Sequence, residues 1–311
     1  MNTEPSSVSD QSPVTLQQAF LERHGISPIL FAFVSLIVVF VLYQMVGGVI
    51  AFLLFGMSPL TQHATGVRVA TFVGQVVFIL VPTILLAGLA TTDRVSFLRL
   101  RPPRWEHIVI PFFGIFSLQQ MLQVYMAFQD RIPVPESLQP IVEQLKHLFE
   151  ETYKVLLASS TIPELLFVVF VVALVPAVAE EFLFRGMVQK SLEQGLGARR
   201  GLVFTGLIFA LYHLNPFSLI PLISLGLYLG YLVYRSGSLW VSVAAHFYNN
   251  AIACVAVYLG MDDDFLVPGK AETLEPGTML LTFLAFSVVF FLSTYYFVRS
   301  TAPSNVPTEE G

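Results

Sequence analysis

Long stretches with few or no charged residues dominate the pattern of hydrophobic and polar positions in this chain. A helix that crosses a membrane needs about 20 mostly apolar residues. Stretches of sufficient length lie at 28–55, 69–92, 107–129, 155–179, 201–234, 236–261 and 276–298. The fifth would reach about 51 Å as one helix, which exceeds the hydrocarbon core, and the turn signal Asn215-Pro216 divides it. The pattern therefore predicts an all-α polytopic membrane protein with about eight transmembrane helices.

Composition narrows the class further. Hydrophobic residues make up 55% of the 311 residues and charged residues 12%, with a mean hydropathy of +0.73. Charged residues are about half as frequent as in soluble proteins, so soluble enzymes and disordered chains are disfavoured. The net charge of −5 offers no general basic surface for nucleic-acid backbones. We expect the lipid bilayer as a partner, and no nucleic acid.

Lysine and arginine are concentrated in the loops on one side of the predicted spans. Arg94, Arg99, Arg101 and Arg104 lie between the second and third spans. Because basic loops remain in the cytoplasm, this loop and both termini are predicted to be cytoplasmic. With the intramembrane Arg185 left out, ten Lys and Arg fall on that side and five on the other. The prediction is an integral protein of the plasma (inner) membrane.

The polar segments between and beyond the spans carry weaker signals. Residues 1–27 lack the basic start and short apolar core of a cleaved signal, so the first span is expected to remain as an anchor. Residues 300–311 are interpreted as a polar tail, and the acidic run 262–264 as a solvated outer loop. The segment 131–154 has apolar residues at helical spacing. It predicts an amphipathic helix that lies on the outer membrane surface or caps the bundle, with a lid function as the less favoured alternative.

Ionisable residues inside membrane spans are costly and by default functional. Glu164 has a structural explanation, because Thr161 and Glu164 form a capping box with proline in the first turn. The pair Glu180-Glu181 does not. Glu181 shares a helix face with Arg185 and can pair with it. Glu180 points about 100° away, and an unpaired carboxylate in a low-dielectric site suits a general base.

Two further spans carry histidine. His213 ends the short fifth span, and His246 precedes Asn250 by one helical turn, so that both face the same way. Asn250 either orients the imidazole or offers an amide donor to an oxyanion. On ideal helices Glu180, His213 and His246 lie at similar depths, about 8–20 Å from the cytoplasmic charges. This agreement predicts one buried site of Glu, His, His and Asn.

At these residues the sequence resembles the CPBP family of intramembrane proteases, which includes the type II CAAX prenyl endopeptidases and bacteriocin-processing or self-immunity proteins. The first motif, E-E-x-x-x-R, is Glu180, Glu181 and Arg185; the second, F-x-x-x-H, ends at His213; the third, H-x-x-x-N, is His246 and Asn250. The three motifs occur in the family's order on separate spans, and the resemblance covers roughly 160–258.

The resemblance implies an eight-helix membrane fold and hydrolysis of a peptide bond within the bilayer. It implies that Glu180 activates water and that His213 assists it. It also implies that His246 and Asn250 stabilise the oxyanion, with Glu181 and Arg185 in support. The substrate would be a membrane-associated protein or peptide, either prenylated or carrying a leader, and the sequence does not choose between these.

Cofactor use is open at this stage. Two histidines and one glutamate are also a zinc-ligand set, so Glu180, His213 and His246 are the candidate ligands if a metal is present. The chain has no H-E-x-x-H helix, and a metal would have to bridge three helices. We favour metal-independent glutamate chemistry, with no cofactor.

These observations divide the chain into five segments: a cytoplasmic tail (1–27), three spans with the outer amphipathic loop (28–159), a protease core (160–258), an outer loop with the final span (259–299) and a polar tail (300–311). Two other classes of function compete with the protease. Intramembrane Glu and His also serve proton-coupled transporters, although no internal repeat is evident. A non-catalytic membrane scaffold or immunity protein is the second alternative.

Overall fold

The computed structural model describes residues 19–56, 60–261 and 275–301, and in these residues the chain forms helices and no strand. The α-helices, in chain order, are α1 (Phe20–His24), α2 (Pro28–Phe55), α3 (Ala64–Ala90), α4 (Arg94–Phe97), α5 (Glu106–Gln129), α6 (Gln139–Leu157), α7 (Ile162–Leu196), α8 (Ala198–Tyr212), α9 (Pro216–Ser236), α10 (Leu239–Tyr258) and α11 (Pro276–Ser300).

The predicted class is confirmed. In the described residues, seven helices are long and apolar enough to cross a membrane: α2, α3, α5, α7, α9, α10 and α11. The predicted fifth span is α8, which has 15 residues. Its length is only about 22 Å, against about 30 Å for a hydrocarbon core. The break after it lies where it was predicted, because Asn215 Oδ1 accepts hydrogen bonds from the backbone N–H groups of Phe217 and Ser218, at 3.1 and 3.3 Å.

Helix α7 is longer than its predicted span. The expected range was 155–179, whereas the helix runs over 35 residues from Ile162 to Leu196. Its start follows the predicted cap, in which Thr161 Oγ1 accepts from the backbone N–H of Glu164 at 3.4 Å. Its end was placed too early because the predicted span stops before the charged residues that include Glu181 and Arg185. Both side chains are in fact fully buried, so the helix continues past them.

Two stretches of α7 are wound as π-helix, at Val169–Leu174 and Phe182–Val188. π-Helical turns often occur at functional sites. The second stretch begins directly after Glu181 and contains Arg185, so the first sequence motif lies at a change in helical winding. Residues Phe182–Val188 are buried throughout.

The core surrounds this part of α7. Among its fully buried apolar side chains are Leu183, Phe184, Met187, Phe209, Leu229 and Leu239. Helices α8 and α9 approach closely at Gly206 and Gly226, where a Cβ on Gly226 would lie 2.8 Å from the Gly206 carbonyl oxygen. This close approach holds α8 and α9 against the middle of α7, where Arg185 donates to the Gly226 carbonyl at 3.0 Å.

The predicted amphipathic helix within 131–154 is present as α6, which runs from Gln139 to Leu157. Its C-terminal end is held by Arg68 of α3, whose guanidinium donates to the carbonyls of Val155 and Leu156, at 3.0 and 3.1 Å, and to that of Ala158. Arg68 also pairs with Glu164 at 3.0 Å. Helices α3, α6 and α7 are therefore joined at one point.

Several predicted segments lie outside the described residues. They are most of the cytoplasmic tail (1–18), the acidic run at 262–264 with the loop around it, and the polar tail from 302 onward. The five-segment division of the chain stays a prediction.

Candidate active site

A cavity of about 640 Å³ lies among α5, α6, α7, α8, α9 and α10. All four residues predicted to be catalytic, Glu180, His213, His246 and Asn250, line it. Glu180 comes from the middle of α7, His213 directly follows α8, and the other two are one turn apart on α10. The side chains that the sequence placed at similar depth are thus brought to one cavity, which we call the active-site cavity.

A buried ion cluster supports the cavity from one side. Glu181 Oε1 accepts from Arg185 Nη1 at 2.7 Å and also lies 2.9 Å from His246 Nδ1. Both charged side chains are fully buried, and the His246 side chain is 4% exposed. The predicted pairing of Glu181 with Arg185 is present, and the same carboxylate also fixes the imidazole. Because a carboxylate accepts, His246 Nδ1 carries a proton in this bond.

Phe209, the first residue of the second motif, connects this cluster to both histidines. Its ring lies under the Arg185 guanidinium, 4.4 Å from ring centroid to Cζ. It packs against His213 and His246 with ring centroids 4.6 and 6.0 Å apart. Cation–π contacts of this kind strengthen when they are shielded from water. Phe209 therefore sets the spacing between the buried cluster and the cavity.

Glu180 lies on the other side of the cavity. Its Oε1 accepts from Gln75 Nε2 at 3.2 Å. Its Oε2 is buried, has no hydrogen-bond partner among the described residues, and lies 3.8 Å from His213 Nε2. The ring of His213 is oriented by Nδ1, which lies 2.7 Å from the carbonyl oxygen of Phe209. A carbonyl only accepts, so Nδ1 holds a proton, and in the neutral form of the ring Nε2 then directs a lone pair at Glu180.

Asn250 does not make one of the two interactions that the sequence predicted for it. The imidazole of His246 is oriented by Glu181 through Nδ1, and not by Asn250. Asn250 Nδ2 donates to the carbonyl of Val172 at 3.2 Å, and its Oδ1 accepts from Asn249 Nδ2 at 3.0 Å. An amide nitrogen has two N–H groups, so the contact with Val172 uses one of them.

The site is only partly buried, whereas the sequence predicted a buried one. His246 is buried, but the side chains of Glu180 and His213 are 14% and 29% exposed, and Asn250 is half-buried. The difference arises because these side chains line a cavity and are not packed into the apolar core. A site with this exposure admits water, which a hydrolytic reaction requires.

Sequence reasoning missed the contribution of α2 and α3. Gln75, in the middle of the α3 span, is 5% exposed and contacts both Glu180 and the hydroxyl of Tyr43, the latter at 3.5 Å. A glutamine within an apolar span was the signal that could have found it, since buried polar groups in membrane helices need partners. Gln119 of α5 was missed in the same way; it lines the cavity and donates to the carbonyl of Asn249 at 2.9 Å.

A metal site needs three or four side chains that converge on one point. Within the described residues, no group of three or more His, Cys, Asp and Glu has the arrangement to hold a metal ion. The pair Glu180 and His213 lies within reach of one small molecule, but the third ligand of the candidate set does not join them. We therefore derive no step through a metal.

Comparison with known proteins shows a similarity between one segment of the chain and a family of membrane proteases. Residues 162–252 match the family model described as type II CAAX prenyl endopeptidase Rce1-like. The match contains α7, α8, α9 and most of α10, and with them all six predicted site residues. The resemblance to CAAX-type membrane proteases is thereby confirmed for this segment.

The chain is thus an integral membrane protein whose residues 162–252 are similar to the Rce1-like type II CAAX prenyl endopeptidases. The matched segment excludes 1–161, so α1 to α6, including Gln75, lie outside it. No curated protein and no solved structure matches the chain.

Proposed function

We propose that the protein is an intramembrane endopeptidase in which Glu180 activates the attacking water. The observation that carries this proposal is the pair of facing acceptors in the cavity, Glu180 Oε2 and His213 Nε2, 3.8 Å apart. Two acceptors at that distance cannot bond to each other without a proton. One water molecule that lies about 2.8 Å from each acceptor can donate one O–H group to Glu180 and the other to His213. The water is thereby held as a nucleophile.

The reaction then proceeds with protons in balance. Glu180 takes a proton from the water as the oxygen attacks the scissile carbonyl carbon, and the carbonyl π electrons move to the oxygen. The tetrahedral intermediate collapses when the C–N bond breaks, and the proton held by Glu180 passes to the leaving amine. His213 orients the water in the first step. General acid–base transfer of this kind contributes about 10²–10⁴-fold to the rate.

The oxyanion needs donors on the far side of the carbonyl. His246 lines the cavity and holds its Nδ1 proton on Glu181, so a doubly protonated ring presents Nε2–H to the cavity. Glu181 balances that charge, and Arg185 keeps the carboxylate compensated when the ring is neutral. Asn250 supplies its second N–H. Donors placed in this way are worth about 2.7–4 kcal/mol each in comparable sites.

Membrane placement belongs to the same proposal. The protein lies in the plasma (inner) membrane with both termini in the cytoplasm, supported by the ten-to-five distribution of basic residues. Its substrate is a membrane-associated protein or peptide, prenylated or carrying a leader. The matched family supports a substrate of this kind.

The test is peptide cleavage by purified protein in detergent. A fluorogenic farnesylated CAAX peptide and a peptide library are offered to the wild type, to Glu180→Gln and to Glu143→Gln. Glu143 is an exposed residue of α6 that does not line the cavity, so its variant controls for the substitution itself. We expect Glu180→Gln to lose at least about 10²-fold in rate with an unchanged melting temperature.

Retention of cleavage by Glu180→Gln would contradict the mechanism. Proton uptake into vesicles that is lost in the same variant would instead favour a proton-coupled transporter. A folded wild type without cleavage or proton uptake would favour a scaffold or immunity protein.

A further inference from the structure

The lining of the active-site cavity comes from one end of the helix bundle. On α5 it comes from the C-terminal half, on α9 from the N-terminal half, and on α10 from the middle of the helix at His246 to its C-terminal end. The lining residues on these helices are Gln119, Met126 and Gln129; Phe217, Ser218, Leu222 and Leu225; and His246, Asn249, Asn250, Ala253 and Val257. The cavity therefore runs from the site residues to the end of the bundle where α6 lies.

The opposite end of the bundle is closed by the arginine-rich loop between α3 and α5. The backbone N–H of Leu239 donates to the Arg99 carbonyl at 2.8 Å, and Ser238 Oγ donates to the Arg101 carbonyl at 2.7 Å. Arg99 also pairs with Glu193 near the end of α7. Hydrogen bonds and an ion pair thus hold the loop against the start of α10 and against α7. No described residue of the loop lines the cavity.

These two ends differ in their number of Lys and Arg residues. The closed end carries the four arginines of the loop together with Lys190, Arg199, Arg200 and Arg235. Basic loops of membrane proteins remain in the cytoplasm. The closed end is therefore the cytoplasmic one, and the cavity opens to the other side of the membrane.

Helix α6 places this mouth at the membrane surface. Along one stripe of α6 and the residue before it, the apolar side chains are exposed by 38–56%: Leu138, Ile141, Leu145 and Leu148. A different face of the same helix lines the cavity, with Lys146, Phe149 and Tyr153. A helix that exposes an apolar stripe and turns polar and aromatic side chains inward fits the interface between lipid and water.

We infer that the active-site cavity receives its substrate from the extracytoplasmic side, and that the substrate is a peptide segment of a translocated or membrane-anchored protein. The inference rests on the proposed function and names its substrate class. A C-terminal peptide presented from the cytoplasm would meet the closed end. The rim carries both signs of charge, with Lys146 and Asp130 paired at 2.7 Å, and the walls below are largely apolar. This combination fits a mixed peptide segment at the membrane surface.

Thiol labelling tests the side on which the cavity opens, without reference to activity. Cys254 is fully buried and is replaced by Ser to give a background without thiols. Tyr153→Cys at the mouth and Trp105→Cys at the closed end are matched, since both are exposed aromatic residues and neither changes the charge balance. Each is expressed in a bacterial inner membrane, and intact cells are treated with a membrane-impermeant maleimide.

We expect Tyr153→Cys to be labelled in intact cells and Trp105→Cys only after the cells are permeabilised. The reverse pattern would overturn the inference. If a variant is not labelled even after permeabilisation, the cysteine is placed at a neighbouring exposed residue. This residue is Lys154 at the mouth and Pro102 at the closed end.

A cleavage test separates this inference from the proposed function. One peptide sequence cleaved in detergent is fused to either end of a single-span anchor, so that it is displayed outside or inside. We expect loss of the outer reporter only, and no loss with Glu180→Gln. Cleavage of the inner reporter alone would overturn the inference and leave the protease intact. If neither reporter is cut, the substrate assignment is overturned, whereas cleavage of the same peptide in detergent leaves the proposed function in place and thiol labelling still decides the side.

Discussion

Gln75 and Glu180 are 105 positions apart in the chain, and Gln75 Nε2 lies 3.2 Å from Glu180 Oε1. The bond uses one oxygen of the carboxylate and leaves Oε2 facing His213. Gln75 is itself buried on α3 and is held near the hydroxyl of Tyr43. A side chain outside the matched protease segment thus orients the proposed general base. Gln75 is a positioning residue, because it acts through Glu180.

Replacement of Gln75 should slow the chemical step. Hydrogen bonds to charged groups contribute about 1.5–3 kcal/mol, so we expect Gln75→Leu to lower kcat by roughly ten- to a hundred-fold. KM should change little, because Gln75 does not line the cavity. Cleavage kinetics and a melting curve in detergent measure the effect. Gln144→Leu, an exposed position on α6, is the matched control. A Gln75→Leu variant with unchanged kcat, or with loss only in KM, would contradict the positioning role.

The buried cluster of Glu181, Arg185 and His246 should control stability as well as activity. Removal of one partner leaves a buried charge uncompensated, which costs about 3–5 kcal/mol. We therefore expect Arg185→Leu to lower the melting temperature strongly. The control is Arg104→Leu, which breaks the surface pair between Arg104 and Glu106, where the arginine is 68% exposed. Exposed pairs contribute at most about 1 kcal/mol. Similar melting temperatures for the two variants would show that the buried cluster is not required for the fold.

Chelators should leave cleavage unchanged. Within the described residues, no group of three or more His, Cys, Asp and Glu is arranged to hold a metal ion. We expect the purified protein to retain its rate after treatment with EDTA and with 1,10-phenanthroline. Loss of cleavage on chelation and its recovery on addition of zinc would contradict glutamate-only chemistry. Metal content of the purified protein gives an independent measurement.

Hydropathy was sufficient to predict most of the fold, because spans are selected by length and apolar composition alone. It failed at two places for physical reasons. The end of α7 was placed too early, since a charge inside a span looks like a membrane edge until its partner is known; Glu181 and Arg185 neutralise each other and the helix continues. The short fifth span was counted among the eight transmembrane helices, although the 15 residues of α8 end at the cavity.

The candidate site was predictable only within the motifs. Depth along ideal helices was enough to bring Glu180, His213 and His246 together. Contacts between helices were not predictable, because a single sequence does not show which faces meet. The bond between Glu181 and His246 and the contact of Gln75 with Glu180 both depend on such packing.

Close packing between α8 and α9 gives the last prediction. A methyl group on Gly226 would lie 2.8 Å from the carbonyl oxygen and 3.1 Å from the Cα of Gly206. Both atoms are backbone, so the helices themselves would have to separate, and overpacking of this kind costs about 1–3 kcal/mol. The same residue accepts a hydrogen bond from Arg185 at 3.0 Å, so separation would also disturb the cluster that fixes His246.

We therefore expect Gly226→Ala to lower both the melting temperature and the cleavage rate. Gly48→Ala is the matched control, because a Cβ there meets nothing within 4 Å and α2 gains helix propensity. Thermal unfolding in detergent and peptide cleavage are measured for both variants. If Gly226→Ala melts and cleaves as Gly48→Ala does, then α8 and α9 do not need this contact to hold Arg185, and the buried cluster must be positioned by α7 and α10 alone.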